Sequence, residues 1–312
     1  MNGSAGRGKK LLVTGASGLL GLNLGFQLAG RYQITGITHS HALRGAPFDV
    51  IQADLGKAGT FGKILERVRP DLVVHAAALA DIDSCEKDPA LSRRLNAELP
   101  GEVAAACERH DLALVHISTD AVFDGLKGEY AEDDLPNPQG IYAGDKLAGE
   151  LAVAAAYPQA AIARVTFYGW SLMGKRSLAE FFFSNLSAGR GVNGFTDVIS
   201  CTLLANDLVD LLAEMLEKRL RGIYHTVSRE HLSKYQFGVN LARRFGLDDS
   251  LIQPVSVNEG RLVAKRSPNL TLQVSRLEAA LGHALPGQSE GMEKLYRLYE
   301  QGYPERFKRL AD

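Results

Sequence analysis

The sequence predicts an α/β protein with a Rossmann-like, doubly wound parallel sheet and a smaller, mixed C-terminal lobe. Short apolar runs alternate with helical patterns through the first half of the 312 residues, which is typical of parallel strands joined by crossover helices. A run with three evenly spaced glycines, TGASGLLG at 14–21, lies between the first predicted strand and the first predicted helix. In such sheets this position receives a ligand phosphate.

The strands and helices follow from the spacing of the apolar residues. The first half has predicted strands at 11–14, 33–38, 72–75, 113–117 and 161–166. Its predicted helices are at 19–29, 60–68, 90–110 and 142–156. The second half has a predicted strand at 222–227 and helices at 177–188, 206–219, 233–245, 275–281 and 288–299. We expect a dinucleotide-binding domain at 1–169 to which 196–227 return, and a substrate-binding lobe formed by 170–195 and 228–312.

The composition argues against several classes of partner. Lys and Arg number 35 against 36 Asp and Glu, so the net charge of -1 offers no overall field for nucleic acid or an anionic membrane. Neither a long apolar span nor a signal-peptide core is present. The three cysteines, Cys85, Cys107 and Cys201, are widely spaced and form no metal-ligand pattern. We expect a cytoplasmic protein without a bound metal, nucleic acid or membrane partner.

The glycine run predicts a phosphate-binding turn. Gly15 and Gly18 let the backbone turn tightly and approach a pyrophosphate, and the following helix offers free N–H groups and a positive dipole end. A plain turn with a close helix contact would use the same glycines, but the placement between strand and helix favours a cofactor site. The expected cofactor-binding residues of this turn are Gly15, Ser17, Gly18, Leu19, Leu20 and Gly21.

The acidic residue that would select NAD is missing. An acid about 20 residues beyond the glycines normally holds the adenosine ribose of NAD, yet no Asp or Glu occurs before residue 49. His39, Ser40 and Arg44 stand near the end of the second strand instead, where they can donate to the 2′-phosphate of NADP. We predict NADP (NADPH), with NAD as the alternative and a solvated basic loop as the plain interpretation. Asp54 and Leu55 suit the adenine, although Asp54 could equally cap a helix.

A tyrosine and a lysine four residues apart are candidate acid-base groups. Tyr142 and Lys146 open a predicted helix and share one face of it. Thr119 stands at a strand end, where ligands bind in open α/β folds. A phenol can donate a proton to a ketone oxygen when a nearby cation stabilises the phenolate. These residues predict reduction of a carbonyl group, although a surface contact and a turn cap would show the same pattern.

These motifs, in this order, resemble the extended short-chain dehydrogenase/reductases, and among them the dTDP-4-dehydrorhamnose reductase type. The resemblance spans essentially the whole chain. It rests on TGASGLLG at 14–21, HAAA at 75–78, Asn96, STDAVFDG at 118–125, YAGDK at 142–146, GIYHTV at 222–227 and RSPNLTL at 266–272.

The resemblance implies a role for each matching residue. Tyr142 would be the general acid, and Lys146 would lower its pKa and hold the nicotinamide ribose. Thr119 would orient the substrate carbonyl, and Asn96 would support a proton-relay water near Lys146. Small residues that let the nicotinamide half of the cofactor approach the backbone would be Ala76, Ala77 and Ala78.

The implied activity is the NADPH-dependent reduction of a 4-keto nucleotide sugar, as in dTDP-rhamnose biosynthesis. Two alternatives stay open. One is a nucleotide-sugar epimerase with bound NAD, and the other is a non-catalytic NADP-binding subunit that resembles the regulatory β subunit of methionine adenosyltransferase. Dehydration is disfavoured, because dehydratases of this superfamily carry a second acid where Ala121 follows Asp120.

The substrate side of the site is less clearly marked. Arg176 and Arg266 are candidates to clamp a substrate diphosphate. Trp170, just after the strand predicted at 161–166, is a candidate to stack on a base or sugar, with core packing as the alternative. Some family members use a Glu to hold a metal ion at a dimer interface, and Asn23 occupies that position here. We therefore predict no metal, and we leave a homodimer open.

Overall fold

The central sheet contains seven parallel strands. The computed structural model describes residues 8–258 and 267–310. In chain order the strands of these residues are β1 (Lys10–Thr14), β2 (Gln33–Thr38), β3 (Asp49–Gln52), β4 (Leu72–His75), β5 (Ala113–Thr119), β6 (Ala161–Val165), β7 (Phe167–Tyr168), β8 (Val192–Phe195), β9 (Ile199–Ser200), β10 (Leu203–Leu204), β11 (Gly222–His225), β12 (Leu232–Ser233), β13 (Ile252–Val255) and β14 (Asn269–Leu270). The large sheet has the order β3-β2-β1-β4-β5-β6-β11. The predicted fold class is therefore confirmed.

The strand order reverses beside β1. The chain runs outward from β1 to β3 and then crosses to β4 on the other side of β1, so a crevice opens at the carboxyl ends of β1 and β4. Thr14, the last residue of β1, is the register partner of Ile37 in β2 and of His75 in β4. His75 in turn is paired with His116 in β5. The ends of these strands meet at one edge of the sheet, and the predicted site residues follow them.

Helices cover both faces of the sheet. They are α1 (Leu19–Leu28), α2 (Thr60–Val68), α3 (Ile82–Lys87), α4 (Pro89–Arg93), α5 (Leu99–Glu108), α6 (Ile141–Ala156), α7 (Leu178–Ser187), α8 (Ala205–Glu217), α9 (Lys234–Phe245), α10 (Ser275–Leu281), α11 (Gln288–Glu300) and α12 (Tyr303–Lys308). α1 and α8 pack on one face, and α2, α5 and α6 pack on the other. In β1, Leu11 and Val13 join the first of these cores and Leu12 joins the second. Burial on both faces is typical of a parallel sheet.

A third core lies beside the large sheet and contains residues from both halves of the chain. α7, α9, α11 and α12 enclose the buried side chains of Trp170, Phe182 and Phe237. α7 and α9 each begin with a capping box, completed by Glu180 and Gln236 respectively, which fixes where these helices start. Within the described ranges, no helix combines the length and the apolar character that crossing a membrane requires.

Most of the predicted elements are confirmed. β2, β4, α2 and α10 have the predicted bounds. The helix predicted at 90–110 is instead a succession of α4, a π-helical turn at Arg94–Glu98 and α5. The sequence did not predict β3, α3 and α12, because segments of four to six residues are too short to show a clear apolar period. β11 lies in the large sheet beside β6, and the division of the chain into two lobes stays a prediction.

Candidate active site

The glycine turn is packed tightly against the end of β4. Gly15 has a φ of +70°, which side chains rarely adopt, and a Cβ atom there would lie 2.9 Å from the carbonyl group of Ala76. A Cβ atom at Gly21 would overlap the carbonyl group of Gly15. The hydroxyl oxygen of Thr14 accepts hydrogen bonds from the N–H groups of Ala76 and Ala77 at 3.1 and 3.0 Å. Only glycine therefore allows the turn to approach β4 this closely.

The turn leads into the N-terminus of α1. Its N-cap residue is Gly18, which has no side chain to bond the first N–H groups, and the first turn contains no acid. These N–H groups and the helix dipole attract an anion. Leu20 differs from its neighbours, because its side chain is buried in the sheet core and leaves only its backbone to meet a cofactor.

A cavity of about 550 Å³ extends from this turn along the edge of the sheet. Its volume is typical of a small-molecule site. Much of the predicted cofactor site lines it, namely Gly15, Ser17, Gly18, Leu19, His39, Ser40, Asp54, Leu55, Ala76, Ala77 and Ala78.

The cavity is also lined by apolar residues that the sequence analysis missed. Leu91, Leu95, Leu99 and Met173 contribute apolar surface to it. Leu91 and Met173 are 42% and 57% exposed, so their apolar side chains reach the solvent-facing side of the cavity. A flat ring of a ligand can pack against them. The spacing of four between the leucines is a helical signal that could have identified them, whereas Met173 has no such pattern.

Imidazole and hydroxyl groups line the cavity beyond β2. Nε2 of His39 lies 3.9 Å from Oδ1 of Asp54, and Oγ of Ser40 lies 3.2 Å from Nδ1 of His41. Oδ1 of Asp54 accepts a hydrogen bond from the N–H of Gly56 at 2.9 Å. Because α2 starts later, at Thr60, this carboxylate forms a turn and not a helix cap. The imidazole and hydroxyl groups can donate to a phosphate.

Arg44 is not among the residues that line the cavity, and its contact with a 2′-phosphate stays a prediction. Its side chain is exposed, and its N–H donates to the carbonyl oxygen of Leu310 at 3.3 Å. The adjacent Leu43 is buried in the third core. The sequence gives no sign of the contact between Arg44 and Leu310.

Thr119, Tyr142 and Lys146 come together at the next strand end. Thr119 ends β5, and its Oγ1 donates to Oδ1 of Asp120 at 3.2 Å. Tyr142 lies in the first turn of α6, close enough to Thr119 for that hydroxyl to lower the pKa of the phenol. Lys146 follows one turn later with its side chain buried, and its Nζ donates to the carbonyl oxygen of Ile117 at 2.6 Å. A proton donor, a cation and a hydroxyl thus share one strand end.

Burial dominates the protonation of these groups. It raises the pKa of Tyr142 to about 12, so the phenol keeps its proton at neutral pH. It lowers the pKa of Lys146 to about 8, against the effect of Glu150, and it raises the pKa of Asp120 to about 7. The resemblance implies that Lys146 lowers the pKa of Tyr142. In the structure the largest influence on this phenol is the loss of solvent, which acts in the opposite direction.

Two neutral histidines pack beside this group. The rings of His75 and His116 are stacked with centroids 5.3 Å apart. Burial, reinforced by the charge of Lys146, lowers the pKa of His75 to about 3 and that of His116 well below its usual value. Nδ1 of His75 lies 2.8 Å from the hydroxyl of Thr14. Because that hydroxyl accepts two backbone N–H groups, it donates its own proton to the imidazole.

Asn96 is fully buried in the π-helical turn. Its Oδ1 accepts a hydrogen bond from the N–H of Leu79, and its Nδ2 donates to the carbonyl oxygen of the same residue, both at 3.0 Å. The side chain therefore braces the segment that follows β4. Its own carbonyl oxygen faces α6 so closely that a Cβ atom at Gly149 would overlap it. The proton-relay role of Asn96 stays a prediction.

Trp170 is a core residue, which corrects its predicted role at the substrate. Its side chain is buried, and its Nε1 donates to the carbonyl oxygen of Leu295 at 3.4 Å. Phe183 and Tyr299 pack against it with ring centroids 5.3 and 5.9 Å away. The sequence could not distinguish the two roles, because a single tryptophan has no pattern that separates core packing from ligand stacking.

The loop at 171–176 forms part of the cavity wall and is held by the buried Glu180. Oε1 of Glu180 accepts a hydrogen bond from the N–H of Ser171 at 2.6 Å. Its Oε2 accepts from the hydroxyl of Ser171 and from the N–H of Arg176, both at 2.8 Å. The exposed side chain of Arg176 lines the cavity. A contact between Arg176 and a substrate diphosphate stays a prediction.

Two further expectations concern Arg266 and metal binding. Arg266 lies outside the described residues, so its place at the substrate also stays a prediction. Asn23 is buried, and its Nδ2 donates to the carbonyl oxygens of Leu19 and Trp170 at 2.7 and 2.9 Å. Among residues 8–258 and 267–310, no group of three or more His, Cys, Asp or Glu side chains could hold a metal ion.

Known proteins match this chain along most of its length. The family model described as RmlD substrate binding domain matches residues 9–300. The dTDP-4-dehydrorhamnose reductase of Mycobacterium tuberculosis is 33% identical over 274 residues, which are 84% of each chain. The probable low-salt glycan biosynthesis reductase Agl14 of Haloferax volcanii is 31% identical over 291 residues, 91% of this chain and 96% of that protein. The methionine adenosyltransferase 2 subunit beta of Danio rerio is 29% identical over 286 residues, 86% of this chain and 84% of that protein.

Solved structures share the fold. The dTDP-4-dehydrorhamnose reductase of Bacillus anthracis, in complex with NADP, has a TM-score of 0.83 at 24% identity and covers 93% of this chain and 99% of its own. WbmG of Bordetella bronchiseptica, in complex with NAD, has a TM-score of 0.81 at 22% identity and covers 96% of both chains.

The fold and the site together define a dinucleotide-binding protein of the extended short-chain dehydrogenase/reductase superfamily. Its parallel sheet, glycine turn and strand-end tyrosine and lysine are those that the resemblance implies. The chain belongs to the RmlD substrate binding domain family.

Proposed function

We propose that this chain is an NADPH-dependent reductase of a 4-keto nucleotide sugar, similar in activity to the dTDP-4-dehydrorhamnose reductases. The observation that carries the proposal is the meeting of Thr119, Tyr142 and Lys146 at one strand end of the cofactor-binding sheet. Relatives named as dTDP-4-dehydrorhamnose reductases, at 33% and 31% identity, support the substrate class.

The residues of the cavity fit a dinucleotide. The close approach of Gly15 to β4 and the N–H groups of the first turn of α1, which no side chain caps, suit a pyrophosphate. His39 and Ser40 would donate to the 2′-phosphate, and the small side chain of Ala76 would leave room for the nicotinamide. The solved relative that is in complex with NADP supports this choice, and the one in complex with NAD keeps NAD as the alternative. When bound, NADPH supplies the hydride for the carbonyl carbon.

The chain's own residues supply the proton and orient the ketone. Tyr142 donates its proton to the carbonyl oxygen as negative charge develops there. Lys146, in its ammonium form below about pH 8, stabilises the phenolate that remains. Thr119 orients the ketone through its hydroxyl, whose proton otherwise bonds Asp120. A reductase therefore needs all three groups in place at once.

The test is NADPH oxidation by the purified protein with dTDP-4-keto-6-deoxyhexose. We expect turnover by the wild type and a loss in kcat of about 1000-fold in Tyr142→Phe, at unchanged NADPH affinity. Tyr296→Phe removes a hydroxyl from α11 in the second lobe and is expected to keep wild-type kcat. Equal kcat in Tyr142→Phe and the wild type would contradict the assignment of the proton donor.

A second candidate is an NADP-binding subunit without turnover. The 29% identity to the methionine adenosyltransferase 2 subunit beta of Danio rerio favours it. It would bind NADPH with the same residues but oxidise it with no 4-keto sugar nucleotide. An epimerase would instead release tightly held NAD when the purified protein is denatured. The same preparations thus separate the three functions.

The oligomeric state and the location are further parts of the proposal. A homodimer would double the 33.7 kDa mass of the chain, which light scattering on the purified protein measures. The cytoplasmic location agrees with three cysteines that are free thiols and buried.

A further inference from the structure

A buried ion pair lies one helical turn from Lys146. The side chains of Glu150 and Arg164 are each 2% exposed. Nε and Nη2 of Arg164 donate to the two carboxylate oxygens of Glu150 at 3.0 and 2.8 Å. The hydroxyl of Ser118 donates to the Oε1 atom of the same carboxylate. The guanidinium carbon of Arg164 also lies 5.0 Å from the ring centre of Phe123.

These side chains connect the two elements that carry the reacting groups. Ser118 and Arg164 are register partners in β5 and β6, and Ser118 immediately precedes Thr119. Glu150 follows Lys146 by four residues in α6, so the two side chains lie on the same face of the helix. One carboxylate therefore joins the strand that ends at Thr119 to the helix that carries the phenol and the ammonium group.

Stability alone is a poor explanation of this arrangement. The free energy needed to move two charges out of water is about as large as the free energy gained from their attraction. Apolar residues of similar volume therefore often stabilise a fold equally well. In addition, Nη1 of Arg164 is buried without a hydrogen-bond partner among the described residues. The position of the pair beside the reacting groups is therefore more informative than its contribution to folding.

The negative charge of Glu150 acts on Lys146. It raises the pKa of Lys146, while burial lowers that pKa to about 8. Among the described residues, the other titratable groups that face Lys146 are His75 in β4 and His116 in β5, both neutral, and Tyr142 on the same face of α6. Glu150 is therefore the anionic group that opposes the loss of the Lys146 proton.

We propose that Glu150 is a positioning residue of the reductase site. Paired with Arg164, it fixes α6 against the end of β5 and holds Lys146 in the ammonium form. The reaction that this arrangement serves rests on the proposed function. The effect of Glu150 on Lys146 is a property of the protein alone and can be measured without a substrate.

The first experiment follows the titration of Lys146 by NMR in full-length protein labelled with carbon-13 at the lysine Cε atoms. Lys146→Met assigns the resonance. Glu150→Gln keeps the volume of the side chain and an oxygen that can accept from Ser118. We expect it to lower the titration midpoint from about 8 in the wild type by about one pH unit or more.

The matched control is Glu293→Gln. It removes a carboxylate from another bidentate ion pair, which joins α9 to α11. In that pair Arg244 donates to the two carboxylate oxygens of Glu293 at 2.6 and 2.8 Å. We expect the Lys146 midpoint to stay at its wild-type value in this variant. A midpoint in Glu150→Gln that equals the wild-type value would overturn the proposal.

The second experiment separates positioning from folding. Glu150→Leu combined with Arg164→Met removes both charges at similar volume, and we expect this double variant to be at least as stable as Glu150→Gln. We also expect kcat at neutral pH to fall by about tenfold and the alkaline limb of its pH profile to move to lower pH. Wild-type kcat and an unmoved alkaline limb in the double variant would show that Glu150 serves folding only. Failure of the wild type to reduce any ketone would refute the proposed function, and the Lys146 titration would still decide the role of Glu150.

Discussion

Gly21→Ala tests the geometry of the glycine turn without adding charge or polarity. A Cβ atom at this position would lie 2.8 Å from the Cα atom of Ala16 and 2.9 Å from the carbonyl carbon of Gly15. Because carbon atoms in contact are normally separated by about 3.5–4.0 Å, the backbone must move apart by about 1 Å. The neighbouring atoms belong to the backbone, so no flexible side chain can absorb this movement. The first N–H groups of α1 move with the turn.

The expected effect on cofactor affinity follows from those N–H groups. A displacement of about 1 Å removes most of the strength of a hydrogen bond. Loss of two bonds to a charged pyrophosphate, at about 1.5 kcal/mol each, weakens binding by about 3 kcal/mol. The Kd for NADPH should therefore rise about 100-fold, which a titration of NADPH fluorescence measures.

Gly62→Ala is the matched control for this substitution. Gly62 lies in α2, and a Cβ atom there would meet nothing within 4 Å. We expect an unchanged Kd for NADPH and a higher Tm, because alanine favours a helix over glycine by about 1 kcal/mol. A Kd for Gly21→Ala within about threefold of the wild-type value would refute the assignment of the turn to the pyrophosphate.

Three further substitutions test other parts of the structure. Ser40→Asp places a carboxylate beyond β2, where it would repel the 2′-phosphate of NADPH. The preference for NADPH over NADH, measured from the two KM values, should fall by about tenfold or more. An unchanged preference would place the 2′-phosphate elsewhere. Trp170→Phe should lower the free energy of unfolding by about 1–3 kcal/mol in urea and leave KM for the sugar nucleotide unchanged, whereas a higher KM at full stability would restore its role at the substrate. The Asp120 carboxyl has its pKa raised from 3.8 to about 7, so the folded state binds this proton more tightly than the unfolded state and the wild type loses stability as pH rises between those values. The free energy of unfolding of Asp120→Asn, measured in urea, should therefore rise relative to that of the wild type by up to a few kcal/mol as the pH increases from 5 to 8. The same difference between variant and wild type at both pH values would contradict the raised pKa.

Local patterns predicted the sheet and the strand-end residues well. Thr14 and Thr119 stand where apolar runs end, and the chain must leave the sheet at such points, so their place at the edge follows from neighbours in sequence. The pairing of Tyr142 with Lys146 depends only on helical spacing. These features need no knowledge of distant contacts, which is why the fold class and the centre of the site could be predicted.

Residues whose surroundings come from distant parts of the chain were harder to predict. Trp170 is buried by Leu295 and Tyr299, and the segment of Arg44 is held through Leu310, all of which lie more than a hundred residues away. The raised pKa of Asp120 likewise depends on burial that packing alone determines. Sequence patterns describe the helix and strand on which a residue lies, but not the elements that will cover it.

The contacts of Glu180 have a consequence for the movement of cofactor. The carboxylate holds both ends of the loop at 171–176 and belongs to the first turn of α7, so the loop and the helix move as one body. Opening the loop alone would leave a buried negative charge without its donors, which is far more costly than moving the whole helix. We therefore expect the exchange of NADP and NADPH past this wall to require the slower movement of the loop together with α7, and not the rapid fluctuation of a surface loop.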